Sequence, residues 1–355
     1  MRSVLAALVT PLLLPAQVRS VSLPAATARL PVEFSNLTVM RELRDGRVLL
    51  FDRKEERFGV ADFAAGSFKD VARRGQGPGE FELVIGLFSL SGDSTLAVDN
   101  ARWLVLAGDR IVSTLPPDAP AIRAIQLWPL GGDWMGRVLG RVFRRGGSLT
   151  DSMYVTLVDR ASGRADTIAT LRNGVRRAPV SAVASGRGAV TRVGRIPLDV
   201  EEVPLLFPDG WTAVARLEPY RVDWRSPEGR WTSGRAIPMR EIRMDARERK
   251  AYIQRRTGYR DATDWPETLP PFDTPTSMLG TPDGWLAIRR LPSAVETDTR
   301  YDLIDRTGIR RGQLVLKRNE HILGFGAASV YVIETDNDGI QWLRRHPYTA
   351  SAIRP

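Results

Sequence analysis

The chain has 355 residues, a formal net charge of +10, 43% hydrophobic and 26% charged residues, 31 glycines and 24 prolines. That composition suits a folded protein with a large core and excludes general disorder. There is no cysteine and only two histidines, His321 and His346, which excludes disulfides, thiol nucleophiles, thiolate metal sites, an acylated-cysteine anchor and any three-histidine site within one chain.

Met1-Arg2-Ser3 followed by the apolar run Val4 to Leu14 reads as a secretory signal. The run is too short and too interrupted to span a bilayer. Cleavage is expected after Ala16, with Ala28 as a later option. The mature protein is then exported, periplasmic or extracellular, with no membrane span. Residues 28–348 are expected to form one domain.

A unit then recurs at roughly forty to fifty residues, the range of repeat architectures. Asp45-Gly46 leads into Val48 to Asp52, and Gly59 to Asp62 follows before a turn at Gly66. Gly92-Asp93 leads into Leu96 to Asp99, and then Trp103 to Ala107. Met153 to Asp159 with Gly163 repeats the second half. Asp209-Gly210-Trp211 and Asp283-Gly284-Trp285 open two further copies, and Val330 to Leu343 supplies the last. Asp-Gly pairs give the positive φ that tight hairpins need, and the β-branched and aromatic runs suit half-buried strands.

Each copy is a small antiparallel sheet that cannot bury both faces alone, and radial stacking solves that. The reading is all-β: a six-bladed β-propeller with copies at 36–72, 84–116, 122–172, 186–236, 276–316 and 319–346. The last copy is one strand short. Ala28 to Phe34 is expected to supply that strand and close the ring. Between Pro238 and Pro275 the pattern breaks. Arg240 to Arg256 has helical periodicity, so a helical insertion with a Pro-rich connector is expected between blades 4 and 5.

Between the first two copies lies Arg74-Gly75-Gln76-Gly77-Pro78-Gly79-Glu80-Phe81. This stretch resembles the inter-blade loop of NHL-repeat propellers, and more closely that of NHL-like six-bladed propellers exported by bacteria. The resemblance extends to Asp45–Asp52 and to Gly324-Phe325-Gly326 with Val330-Tyr331-Val332. It implies the fold and no particular activity. Physically, Gly75, Gly77 and Gly79 permit close turns, Pro78 fixes φ, and Glu80 and Phe81 complete a structural plug between blades. A phosphate-cradling loop would need a Gly-Lys-Ser/Thr ending, which is missing.

Few constellations carry chemistry. Glu80, Asp99, Asp223, Asp305 and Asp338 could offer oxygen ligands to a divalent cation in the central channel. Their repeated positions fit turn caps better. His321 reads as a turn residue and His346 as solvent-facing. No Gly-x-Ser-x-Gly elbow occurs. Glu201 and Glu202 are adjacent on an extended chain, so they face opposite ways and form no catalytic dyad. No catalytic residues, no metal ligands and no cofactor are therefore assigned.

Charge is the remaining signal. The chain carries 47 arginines and 4 lysines. Trp134 to Leu198 alone holds twelve arginines against Asp151, Asp159 and Asp166. Arg137, Arg141 and Arg145 share one face if that stretch is extended. Arg172, Arg176 and Arg177 follow with no acidic residue nearby. These six residues form a candidate anion-binding surface on blades 3 and 4. The expected function is a scaffold that binds a protein or an anionic ligand, such as an acidic glycan or envelope component. Nucleic acid is not expected. The alternative is a metal-dependent hydrolase or lactonase with channel carboxylates, and a third reading is a structural part of an envelope assembly.

Overall fold

The computed structural model describes residues 19–349 apart from 91, 100–101, 126–130, 132, 144–151, 173–179, 186–187, 194–196, 199, 257–258, 260–261, 263 and 273–276. The expected signal segment, Arg145, Arg176 and Arg177 therefore lie outside the described residues. Two short strands come first, β1 (Ser20–Ser22) and β2 (Ala28–Arg29). Blade 1 is β3 (Leu37–Glu42), β4 (Val48–Asp52), β5 (Arg57–Asp62) and β6 (Ser67–Ala72). Blade 2 is β7 (Val84–Ser89), β8 (Ser94–Asp99), β9 (Trp103–Ala107) and β10 (Arg110–Leu115).

A short helix α1 (Pro120–Ala124) precedes β11 (Arg137–Phe143), β12 (Ser152–Asp159) and β13 (Ala165–Arg172) of blade 3. The hairpin β14 (Val180–Ser185) and β15 (Gly188–Val193) stands apart from both neighbouring blades. Blade 4 is β16 (Val203–Leu206), β17 (Thr212–Leu217), β18 (Tyr220–Arg225) and β19 (Trp231–Thr232). After helix α2 (Ala246–Arg255), blade 5 is β20 (Met278–Gly280), β21 (Leu286–Arg289), β22 (Asp298–Ile304) and β23 (Arg310–Lys317). Blade 6 is β24 (Glu320–Phe325), β25 (Ser329–Thr335) and β26 (Gln341–Pro347).

Within each blade the strands run antiparallel in chain order. The first strands of blades 1 and 2, 4 and 5, 5 and 6, and 6 and 1 adjoin one another around the axis. The Asp-Gly turns join the first strand to the second, and Gly46, Gly210 and Gly284 repeat one geometry there. Their φ values are 83°, 88° and 82°, and each N–H donates to the carbonyl three residues back at 3.0 Å. An L-residue with a Cβ is strained at such φ, which is why the motif recurs.

The ring closes as the sequence suggests. Ala28 and Arg29 pair antiparallel with Arg345 and Arg344 of β26, and Phe34 bridges Gln341. The N-terminal segment also adds β1 in parallel to β23, a fifth strand on blade 5. The fold is thus a six-bladed β-propeller closed by an N-terminal strand, with a helix between blades 4 and 5. Asp245 caps α2 by accepting from the N–H groups of Arg247 and Glu248, at 2.9 Å each.

Two blades depart from their expected limits. In blade 3 the innermost position is taken by Gly131, Asp133 and Trp134. Gly131 bridges Leu206 of β16, Asp133 N donates to Ser89 O of β7 at 3.3 Å, and Trp134 turns into β11. Blade 4 begins at Val203 and not near 186, because 188–193 is committed to the separate hairpin. The hairpin spacing that suggested a blade there belongs to an insertion.

The core lies between blades. One cluster joins Leu49, Phe51 and Phe58 of blade 1 to Ala97 and Leu104 of blade 2. The largest joins blades 4 and 5 and extends to Tyr252 of α2. Burying these faces is the main favourable term in a fold of this kind.

Candidate functional site

The inter-blade loop is a structural plug. Phe81 is fully buried and packs edge-on against Phe51 and Phe58, with centroids 5.7 and 5.8 Å apart. The Glu80 carboxylate turns back onto its own loop, accepting from Gly77 N at 2.7 Å and Arg73 Nε at 2.6 Å. These bonds hold it below the usual carboxylate range, the Gly77 N–H first. A Cβ on Gly75 would collide with that carboxylate. Arg102 then locks the loop, donating to the carbonyls of Gly75, Gln76 and Glu80 at 2.9, 3.0 and 2.7 Å.

Asp99, Asp223 and Asp305 are likewise engaged within the chain. Asp99 accepts from Glu82 N and Leu83 N at 3.0 and 2.6 Å. Asp223 holds Arg216 and Arg221, both at 2.9 Å. Asp305 caps its turn through Thr307 N and Ile309 N at 2.9 and 3.1 Å. Asp338 lies exposed in a turn. Glu201 and Glu202 diverge as expected, to Arg141 at 2.8 Å and Arg216 at 2.7 Å. Among the described residues no three His, Asp or Glu side chains form a group able to hold a metal ion.

The arginines of blades 3 and 4 are placed as follows. Arg137 is half-exposed and lies 3.6 Å from Asp166. Arg141 is buried at 6% exposure, so its charge serves the Glu201 pair inside the protein. Arg172 ends β13.

A different arginine cluster surrounds the most built-up cavity, about 570 Å³, which opens between α2 and blades 5 and 6. One wall is Tyr252 and Arg255 of α2 with Arg256, which caps its end; the other is Arg289 and Arg290, which end blade 5's second strand and begin its turn. The floor is Arg318 to His321, where the chain steps into β24. Leu291 and Pro292 give an apolar flank. The helix is anchored over the cavity. Glu248 accepts from Ala294 N at 2.8 Å, and Arg255 donates to Pro292 O at 2.9 Å. Tyr252 packs edge-on against Trp265 at 5.8 Å, so the Pro-rich connector braces the helix from behind.

The polar groups of this cavity divide into committed and open ones. Arg290 is committed to buried Asp302 at 3.2 Å, which also accepts from the Tyr220 hydroxyl at 2.9 Å. Burial first, and then the Asp302 charge, raise the Tyr220 hydroxyl well above its ordinary value. Glu320 is committed to Arg344 at 3.5 Å and to Lys317 N at 3.1 Å. Burial raises the Tyr301 hydroxyl above its ordinary value, and the Arg289 charge beside it offsets part of that rise. No carboxylate among the described residues is within ion-pair distance of Arg289 or Arg318. The Nε of Arg290 is a buried donor with no acceptor among the described residues.

His321 completes the open set. It sits within β24, paired with Ile333, and not in a turn. Its ring is half-buried and has no hydrogen-bond partner among the described residues. Burial, and secondly the Arg289 charge, lower its pKa from 6.5 to about 4. The ring is therefore neutral near pH 7. His346 also differs from the solvent-facing expectation: it is half-buried in β26, with Nδ1 2.8 Å from Pro24 O and Nε2 buried with no partner among the described residues.

The cavity thus concentrates five arginines against two carboxylates, Glu320 and Asp336, around a neutral imidazole and an apolar flank. That arrangement favours an anion and offers no paired acid and base for hydrolysis. The sequence reading missed it because the segments 252–256, 289–292 and 318–321 are far apart in the chain. The dipeptide Arg289-Arg290 at a strand end was the local signal.

The class defined by this architecture is the six-bladed β-propeller. The fold is similar to that of a protein from Bacteroides fragilis described as exported, with a TM-score of 0.50 and 11% identity over 93% of this chain and 99% of that one. A calcium-binding protein, regucalcin, from Agrobacterium tumefaciens gives a TM-score of 0.39 at 12% identity, covering 93% of this chain and 97% of that one. A protein described as a gluconolactonase gives 0.38 at 10% identity, covering 91% and 94%. At these identities the first likeness shows the fold alone and the other two carry no argument. No family model matches the chain and no curated protein matches it in sequence. The NHL likeness therefore rests on the sequence stretches around 45–52, 74–81 and 324–332 alone.

Proposed function

We propose that this chain is an exported, non-catalytic propeller that binds a small anionic ligand in the cavity between α2 and blades 5 and 6. The observation that carries this is the pair of guanidinium groups, Arg289 and Arg318, in one concave site with no carboxylate partner among the described residues. Arg289 is half-buried and so is costly to leave without an anion, while exposed Arg318 adds its charge at the rim. The cavity volume is in the range of small-molecule sites. Export is supported by the signal-like first residues, and no helix among the described residues is long and apolar enough to cross a membrane.

Calorimetric titration with benzenesulfonate tests the reading. Its charge is fixed, and its ring suits Tyr252, Leu291 and Pro292. Saturable binding is expected, weakened at least tenfold in Arg289→Ala/Arg318→Ala, since each tenfold is about 1.4 kcal/mol and a charged hydrogen bond contributes about that much or more. Equal affinity in the double variant would refute the site. For the expected blade 3 and 4 surface Arg141 is spent on Glu201, and half-exposed Arg137 is proposed as its anion-facing member, for an acidic polymer. Replacing Arg137 with Glu should then lower the salt needed for elution from a heparin-like resin.

A further inference from the structure

The imidazole in this cavity has a consequence for how an anion is held. We infer that the cavity takes up its anion together with a proton, with His321 becoming the third cationic donor once the anion is seated. This deepens the anion-binding reading and rests on it.

The geometry supplies the reason. His321 lines the same cavity as Arg289 and Arg318, on the strand that forms its floor. Its ring has no partner among the described residues, so its nitrogens are available to a ligand. In the empty site the ring is kept neutral by burial and by Arg289. An anion placed among these groups reverses the second cause, because its charge offsets that of Arg289 and attracts a proton to the ring. Linkage then requires that affinity rise as the pH falls.

The surrounding charges do not supply a competing acceptor. From β21, Arg289 faces the ring and Arg290 is held by Asp302. From β22, the Tyr301 hydroxyl accepts from Ile322 N at 2.9 Å. On its own strand and on β25, Glu320 and Glu334 are both paired with Arg344 of β26. Lys317 stands 3.9 Å from Glu320, and Arg318 follows it at the rim. After β25, Asp336 accepts from the Trp342 indole, which with its turn N–H groups holds it below the usual carboxylate range. Tyr252 and Arg255 of α2, with Arg256 at its end, complete the wall.

The test uses sulfate and benzenesulfonate, whose charges are fixed between about pH 5 and about pH 8, so that any proton taken up belongs to the protein. Calorimetry at pH 6 in two buffers of different ionisation enthalpy reads that uptake directly on the unaltered chain. A net uptake approaching one proton is expected. If the bound imidazole returns to its ordinary value, affinity should be roughly tenfold tighter at pH 5.5 than at pH 7.5. His321→Gln, which keeps a neutral hydrogen-bonding side chain, should bind with a flat profile. Binding without proton uptake, or an unchanged pH profile in His321→Gln, would overturn the inference and leave the anion site standing. No binding of either probe at any pH would instead overturn the anion-binding reading itself.

Discussion

The junction between blades 1 and 2 and the junction between blades 5 and 6 use arginine in opposite ways. Arg102 spends its donors on the carbonyls of the glycine-rich loop and on Asp99, and Phe81 fills the space beneath. The cavity of about 560 Å³ beside this loop is lined by Arg53, Glu56 and Arg74, and Arg74 is already paired with Glu56. Arg289 and Arg318 sit at a junction held apart by α2, among groups already paired with one another. The difference teaches that abundance of arginine says little about binding. What matters is whether the fold has already supplied the acceptors.

Breaking the sealed junction should give the largest effect. Phe81→Ala removes a fully buried ring with two edge-on neighbours, and is expected to cost about 3–5 kcal/mol in denaturant unfolding. Arg102→Leu should cost about 2–3 kcal/mol, because several loop carbonyls lose a charged donor together. A loss under about 1 kcal/mol in either variant would mean that the loop is not a structural plug.

The open junction should respond to pH more than to truncation. His321 has a folded value of about 4 against an ordinary 6.5. The folded state therefore binds fewer protons than the unfolded state across that window. The contribution is fully present above about 6.5 and is lost as the pH falls towards about 4. Denaturant midpoints measured at pH 7 and pH 4.5 should fall less in His321→Gln than in the unaltered chain. Arg289→Ala should have the smallest effect on stability, about 1 kcal/mol or less, since it leaves no buried carboxylate among the described residues unpaired. A large loss there would show Arg289 to be structural.

Much of the fold was legible because propeller chemistry is local. Asp45-Gly46, Asp209-Gly210 and Asp283-Gly284 announce the same turn, and Phe81 announces the plug that follows it. The missing strand of blade 6 was legible by subtraction, and Ala28 and Arg29 supply it. The third and fourth blades were harder. The chain at Gly131 and Asp133 carries no β-rich run, and the hairpin 180–193 imitates blade spacing without belonging to a blade. The candidate site was least legible. Helix α2 could be seen from its periodicity, but its packing over blades 5 and 6, not any local pattern, brings Tyr252, Arg289 and His321 together. Arg141 shows the converse error that charge counting invites: a charge in a basic stretch that points inward to Glu201.

The most direct test of the account is where an anion protects the backbone. Hydrogen–deuterium exchange with and without benzenesulfonate should show protection in α2 and its C-terminal end, and around Arg289–Leu291 and Arg318–His321, with the blade 1–2 loop unchanged. Protection centred instead on β11 to β13, or none anywhere at saturating probe, would contradict it.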